Sequence, residues 1–394
     1  MSPDELLASA RAGTGLDDFG DDELFGGDGW RDGLRQLLAS IDAEARFSEL
    51  GQLAAQFEMV SYLTNRLRIV EHHRAHPEIR DRDITPPLVI MGQARTGTTM
   101  LFDTLAQDPD HRAPLSWEVE QPLPPPRTET YWTDQRIDEA ESLISVIDTI
   151  VPGFRTIHQL GGRLGQEDGR ILGSAFVSTI YTNQYRVPGY LNWYLHDAVR
   201  DGHVAGAYRW HRRFLEVLQS EHTCARWLIK WPAHVWTLPQ LMAEYPGALL
   251  VQTHRDPARV LASNTSMLGR LRQLYSDEVD TSVIGPEYAE LILEGFERTV
   301  DARLDGTVPE AQVVDLQFAD LMADPLGVIR SAYDRFGLEL TAVAEARMAA
   351  YLRANARASA GHPYSFDVAC VELDEVRSRT SRYTKYFKVP AEQF

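Results

Sequence analysis

LVIMGQARTGTTMLFDTLAQ, residues 88–107, changes character twice within twenty positions. Leu88 to Met91 is a continuous apolar run, the pattern of a parallel strand buried on both faces. Gly92-Gln-Ala-Arg95-Thr96-Gly97-Thr98-Thr99 is a small-residue loop, and the apolar spacing then becomes helical from Thr98 to Gln107. A strand that runs through a glycine loop into a helix turns backbone N–H groups and a helix dipole toward one point, which is how phosphates are cradled. The two glycines keep the spacing of a nucleoside-triphosphate loop, but Thr98 stands where that loop has its lysine. No strand ends in an acid suited to Mg²⁺, and LLVQTHRD reaches His254 and Arg255 first. The loop therefore suits a phosphate-type anion rather than Mg-ATP, with Arg95 supplying a fork of donors. The alternative reading of the loop alone is an ordinary turn before a helix.

Outward from this stretch, the pattern repeats. ARWLIKWP (225–232), ALLVQTH (248–254) and AQVVDLQF (311–318) read as further strands. Helical periodicity follows in PARVLASNTSML (257–268), ADLMADPLGVIRSAYDRFG (319–337) and LTAVAEARMAAYLRANA (340–356). Strands alternating with helices predict an α/β fold of three layers, α/β/α, around a mostly parallel sheet. Residues 1–85 form a separate stretch: an acidic, Gly-rich surface arm (1–30) anchored by Leu24, Phe25 and Trp30, then helices in LRQLLASI and LGQLAAQFEMVSYLTNRL. Residues 86–394 form the main domain, interrupted at about 113–215 by a mixed helical insertion. That insertion carries a proline run at Pro122 and Pro124 to Pro126 and a dense aromatic stretch: Tyr181, Tyr185, Tyr190, Trp193 and Tyr194. The aromatics read either as an acceptor groove for a large apolar alcohol or phenol or as helix packing.

The net charge of −18 opposes nucleic acid and anionic membrane as partners, so a site for an anion has to be local. Cys224 and Cys370 are the only cysteines, giving neither a disulfide framework nor zinc spacing. The first residues carry acids in place of a signal peptide's positive charge, and no stretch reaches the ~18 apolar residues of a membrane span. The expectation is a cytoplasmic protein, with peripheral membrane contact left open and the oligomeric state unassigned. Of 39 basic residues only Lys230, Lys385 and Lys388 are lysines, which draws attention to Lys230 at a strand end.

GQARTGTTMLFDTLAQDP resembles the 5′-phosphosulfate loop of sulfotransferases that use 3′-phosphoadenosine 5′-phosphosulfate (PAPS), more narrowly their large bacterial branch. The resemblance implies a P-loop-like sulfotransferase fold, with Arg95, Thr96, Gly97, Thr98 and Thr99 on the 5′-phosphosulfate. Cytosolic members of the family carry Lys at the position of Arg95. His254-Arg255-Asp-Pro-Ala-Arg-Val-Leu-Ala-Ser263 resembles the family's 3′-phosphate site, which implies that Arg255 and Ser263 hold that phosphate. Ile229-Lys230-Trp231-Pro232 resembles the segment whose Lys meets the sulfuryl group, but Trp231 replaces the cytosolic members' base histidine; the bacterial branch has a histidine where this chain has His234. Gly361-His-Pro-Tyr364-Ser and Arg382-Tyr-Thr-Lys-Tyr-Phe resemble that branch's closing segments.

By the same resemblance the activity is transfer of a sulfuryl group from PAPS, as donor co-substrate and without a metal, to a hydroxyl of a small, apolar or lipid-like acceptor. Arg95 and Lys230 are suited to stabilise charge in the transition state. For the base, Glu118 in Ser-Trp-Glu-Val-Glu ranks first and His158 in Thr-Ile-His-Gln second; the pair Glu167-Asp168, in the same segment as His158, and His234 are further candidates. A helix-capping or ion-paired glutamate and a hydrogen-bonded interior histidine are the competing readings. Two other functions stand against this one. A P-loop small-molecule kinase needs the missing lysine. A non-catalytic nucleotide-binding protein of the same fold is kept alive by Trp231.

Overall fold

The structure is a computed structural model, and it describes residues 1–150, 160–355 and 365–394. The chain divides into two compact units. One comprises Met1–Ile84, Pro114–Cys224 and Arg270–Val279; the other comprises Thr85–Ala113, Ala225–Gly269 and Asp280–Phe394. The stretch before residue 85 and the insertion thus belong to one unit, and the strands to the other.

The second unit is built on five strands: β1 (Leu88–Met91), β2 (His111–Arg112), β3 (Arg226–Lys230), β4 (Leu249–His254) and β5 (Val313–Gln317). Their order is β2-β3-β1-β4-β5, and every described pairing is parallel. Four of them follow the apolar runs of the sequence. Every residue of β1 is buried, as its uninterrupted apolar pattern requires. β2 is two residues long and carries no pattern. Leu88, Ile90, Leu228, Val251 and Leu316 from the sheet pack with Leu101, Phe102 and Leu105 of the helix after the loop and with Leu321 and Ile329. The long pattern at 319–337 splits into helices Phe318–Ala323 and Pro325–Phe336. Pro325 cannot continue the first helix and opens the second, while the Asp324 side chain accepts from the Gly327 N–H as its cap.

In the first unit, residues 1–30 are packed into the fold more fully than a surface arm, and Phe25 and Trp30 of the expected anchors are buried. A capping box formed by Ser2 and Glu5 starts a helix over Pro3–Thr14, and Leu6, Leu7, Ala10, Phe19, Phe25 and Trp30 are buried. Arg66, on the long helix Glu49–Ala75, ties the segment down. It donates to the carbonyls of Phe19 (2.7 Å), Gly20 (3.1 Å) and Phe25 (3.4 Å), and its guanidinium lies against the rings of Trp30 and Trp210. Burial draws its pKa down to about 9, so it stays charged at neutral pH.

Candidate functional site

β1 lies between β3 and β4, so the chain's direction of travel across the sheet reverses beside it. In open parallel sheets the crevice at the carboxyl ends of such strands is where ligands bind. Three sequence candidates stand at those ends: the 92–99 loop after β1, Lys230 as the last residue of β3, and Arg255 one residue after β4.

The loop is shaped by close approach and by strain. Gly92 has φ +131°, and a Cβ there would lie 2.5 Å from the Thr253 carbonyl oxygen on β4. Arg95 has φ +71°, a left-handed conformation that is uncommon for a residue with a side chain and needs outside support. The support is visible. The Thr96 hydroxyl donates to the Gln93 carbonyl at 2.6 Å and lies 2.6 Å from the Thr253 hydroxyl. Arg255 Nη1 donates to the Arg95 carbonyl at 3.0 Å. Gly97, at φ +93°, then caps the helix Thr98–Leu105, and no side chain occupies that cap. The first-turn N–H groups and the positive end of the dipole are therefore presented at the loop.

Side chains close the cluster. Arg95 Nε donates to Ser263 Oγ at 3.0 Å, and Lys230 Nζ donates to Thr99 Oγ1 at 3.1 Å. Arg95 is the meeting point, since the two residues singled out for the 3′-phosphate, Arg255 and Ser263, both bond it. Thr98 is buried within the first helical turn. Arg255 is also clamped by the Glu392 carboxylate, with Nε to Oε1 at 2.8 Å and Nη2 to Oε2 at 3.0 Å, and its guanidinium lies 3.9 Å from the Phe318 ring centroid. Glu392 carries no signal in the sequence.

Just before Arg255, His254 is fully buried. Its Nδ1 lies 2.7 Å from the Tyr383 hydroxyl and its Nε2 2.8 Å from Asp315. Burial lowers the histidine's pKa, while the bonds from His254 and Arg303 outweigh burial at Asp315 and hold its carboxyl below the usual range. Tyr383 comes from the closing segment Arg382-Tyr-Thr-Lys-Tyr-Phe, so that segment braces the strand end that presents Arg255.

The base candidates fare differently. The Glu118 side chain is completely buried. Its Oε1 accepts from the Leu115 N–H at 2.9 Å and from the Tyr131 hydroxyl at 3.3 Å, so the carboxylate fastens the start of its own helix, Ser116–Glu120. Asp168 is equally buried, 3.5 Å from His211 Nε2. His234 is buried in the short turn Pro232–Trp236. Glu167, immediately before the helix Asp168–Gly173, keeps partial exposure. His158 and the stretch Gly361 to Tyr364 lie outside the described residues. Tyr181, Tyr185, Tyr190, Trp193 and Tyr194 are all buried, and the first four pack ring against ring: Tyr181 with Tyr185 at 6.1 Å and with Tyr190 at 5.8 Å, and Tyr190 with Trp193 at 5.5 Å. Packing, not a groove lining, accounts for them. Among the described residues no group of three or more His, Cys, Asp or Glu side chains is placed to hold a metal ion.

A phosphate-type loop without the kinase lysine, with cations at the ends of three adjacent parallel strands, defines a class, and the comparisons agree with it. The chain belongs to the sulfotransferase family, whose sequence pattern matches residues 86–342. It is similar over nearly its whole length to sulfotransferase STF1 of Mycobacterium tuberculosis, with 30% identity and a TM-score of 0.83 over 97% of this chain and 99% of that one. Sulfotransferase STF9 of Mycobacterium avium gives 25% identity and a TM-score of 0.87 over 100% of this chain and 98% of that one. Among curated proteins, the omega-hydroxy-beta-dihydromenaquinone-9 sulfotransferases Stf3 of Mycobacterium bovis and Mycobacterium tuberculosis are 25% identical over 268 residues, 64% of this chain and 63% of theirs. The chain thus spans less than two thirds of the length of those relatives. Among the described residues no helix is long and apolar enough to cross a membrane.

Proposed function

We propose that this protein transfers a sulfuryl group from PAPS to a hydroxyl of an apolar or lipid-like acceptor. The observation that carries the reading is the convergence on Arg95: Ser263 and Arg255 bond it from β4 and the helix that follows, while Lys230 and Thr99 bond each other beside the same loop. In this reading the 92–99 loop and Arg95 receive the 5′-phosphosulfate, and Arg255 and Ser263 receive the 3′-phosphate. The acceptor oxygen attacks sulfur in line. The S–O bond to the nucleotide's 5′-phosphate breaks, and Arg95 and Lys230 neutralise the charge that gathers on the bridging and peripheral oxygens. The acceptor's proton passes to a base. The Glu118 carboxylate accepts from Leu115 and Tyr131, so in this reading the role passes to His158, the second candidate of the sequence. The lipid-like acceptor is supported by the substrate for which the Stf3 relatives are named, a hydroxylated menaquinone derivative.

The test is binding before turnover. Adenosine 3′,5′-bisphosphate should stabilise the protein by RT ln(1 + [L]/Kd), about 2.7 kcal/mol at a hundredfold excess over Kd, and adenosine 5′-phosphate much less. Equal thermal shifts from both nucleotides would remove the 3′-phosphate assignment. With PAPS and a panel of phenols and lipid alcohols, His158→Asn should keep bisphosphate affinity and lose most turnover.

A further inference from the structure

Glu392 lies in the irregular segment Val389–Phe394, in which Ala391, Gln393 and Phe394 are exposed. Its carboxylate occupies the Nε–Nη2 edge of Arg255 in a bidentate clamp, the geometry in which a guanidinium also takes a phosphate. A third donor nitrogen of Arg255, Nη1, is engaged by the Arg95 carbonyl. Arginines gather around this one acid. Arg259 Nε lies 3.6 Å from the carboxylate, and Arg377 Nη2 donates to the Glu392 carbonyl at 3.3 Å. In a chain of net charge −18 this is a concentrated basic patch, and an intramolecular acid sits at its centre. The segment is held by replaceable links: the Glu392 N–H donates to Asp256 at 2.7 Å, Arg259 donates to the Gln393 carbonyl, and the Phe394 ring rests on Arg259. Such partly exposed, irregular segments open at low free-energy cost.

We propose that Glu392 is an internal stand-in for the nucleotide's 3′-phosphate, so that Val389–Phe394 closes the donor site and is displaced when the donor binds. The inference rests on the reading of Arg255 as a 3′-phosphate ligand. A phosphate monoester near neutral pH carries close to two charges and three acceptor oxygens, against one charge and two oxygens for the carboxylate. Two anions held on the same guanidinium also repel each other, which favours exchange over joint occupancy. The free protein then keeps the Arg255 guanidinium neutralised, and the occupied protein releases a peptide segment whose position reports occupancy.

Calorimetric titration of the full chain tests this with adenosine 3′,5′-bisphosphate and adenosine 5′-phosphate, on the parent, Glu392→Gln and Arg255→Ala. Removing the internal competitor should tighten bisphosphate binding by on the order of tenfold, because apparent affinity is reduced by the fraction of molecules in the closed state. Adenosine 5′-phosphate should bind Glu392→Gln and parent within about twofold, since it does not compete for that edge. Hydrogen exchange in 389–394 should quicken when the bisphosphate binds the parent. Unchanged or weaker bisphosphate binding to Glu392→Gln overturns the proposal, as does slower exchange in 389–394 on binding. If the parent prefers the bisphosphate and Arg255→Ala abolishes that preference, either overturning result removes the latch and leaves the 3′-phosphate assignment standing. If the parent shows no preference between the two nucleotides, the 3′-phosphate assignment falls and the latch with it.

Discussion

Arg66 and Arg255 each hold a segment near one end of the sequence, and they do it in opposite ways. Arg66 is fully buried between two tryptophan rings and donates to three backbone carbonyls of the first thirty residues. Arg255 retains 15% side-chain exposure and grips the carboxylate of Glu392. Neutral carbonyls fixed in a folded backbone have no competitor in solution. A carboxylate on a strap can be exchanged for a stronger anion. The same residue type is therefore a bolt in one unit and a socket in the other, and the nature of the partner tells them apart.

The largest effect should come from removing the bolt. Arg66→Met leaves three buried carbonyls without their donor and should cost roughly 3–5 kcal/mol in urea unfolding, the range for breaking a buried charged contact. Nucleotide affinity of the folded fraction should hold. A stability loss under about 1 kcal/mol would mean that the carbonyls find other donors and that the contrast is overdrawn.

On the other side, Lys230→Ala should lower turnover by roughly 10²–10³-fold, the effect of deleting one preorganised donor, with little change in unfolding midpoint. Full activity in that variant would reduce Lys230 to a strand-end residue bonded to Thr99.

Acid should act on the bolted side through a buried histidine. His73, on the same helix as Arg66, is fully buried, and its Nε2 lies 2.9 Å from the Arg213 carbonyl, which assigns the hydrogen to Nε2. Burial depresses its pKa to about 4 from the ordinary 6.5. The folded state favours the neutral ring, so the unfolded chain binds the extra proton between these values. Stability is complete above pH 6.5 and is lost as pH falls toward 4, by at most roughly 3 kcal/mol from this one group. His73→Gln should remove that component from the pH dependence of the unfolding midpoint; an unaltered acid limb would assign it to other groups.

The smallest effect expected is from emptying the socket. Arg255→Ala should cost about 1.5–3 kcal/mol of bisphosphate affinity, the worth of hydrogen bonds to a charged group, and leave the unfolding midpoint within about 1 kcal/mol of the parent. A large loss of stability would make Arg255 a second bolt.

The contrast also explains what could be read in advance. β1 announces itself because a strand buried on both faces must be apolar throughout, and β3, β4 and β5 show as short apolar stretches between helical patterns. β2, at two residues, is fixed only by pairing with β3. The loop residues were legible because their chemistry is local: Gly92 and Gly97 adopt positive φ, and Arg95 sits between them. The first thirty residues read as a surface arm held by Leu24, Phe25 and Trp30; their further anchor, Arg66, went unseen because it lies far along the chain and their acids and glycines gave no hint of it. Glu118 read as a base from its distance along the chain to the loop, a measure that cannot reveal a carboxylate turned back onto Leu115 and Tyr131. Glu392 was invisible for the same reason: its partner is 137 positions away.

The register of the sheet has a kinetic side. Leu88 pairs with Leu228 and also with Leu249, so β1 acquires neighbours on both edges only after a very long stretch of chain has been synthesised and brought back. Closing so long a loop costs entropy before any strand contact repays it, and topologies rich in such distant pairings fold slowly. A chain emerging from the ribosome presents the whole 92–99 loop early, with neither Lys230 nor Arg255 yet made. If the site binds nucleotide as proposed, that property arrives late, and its appearance during refolding should time the pairing of β1 with β3 and β4 rather than the first collapse.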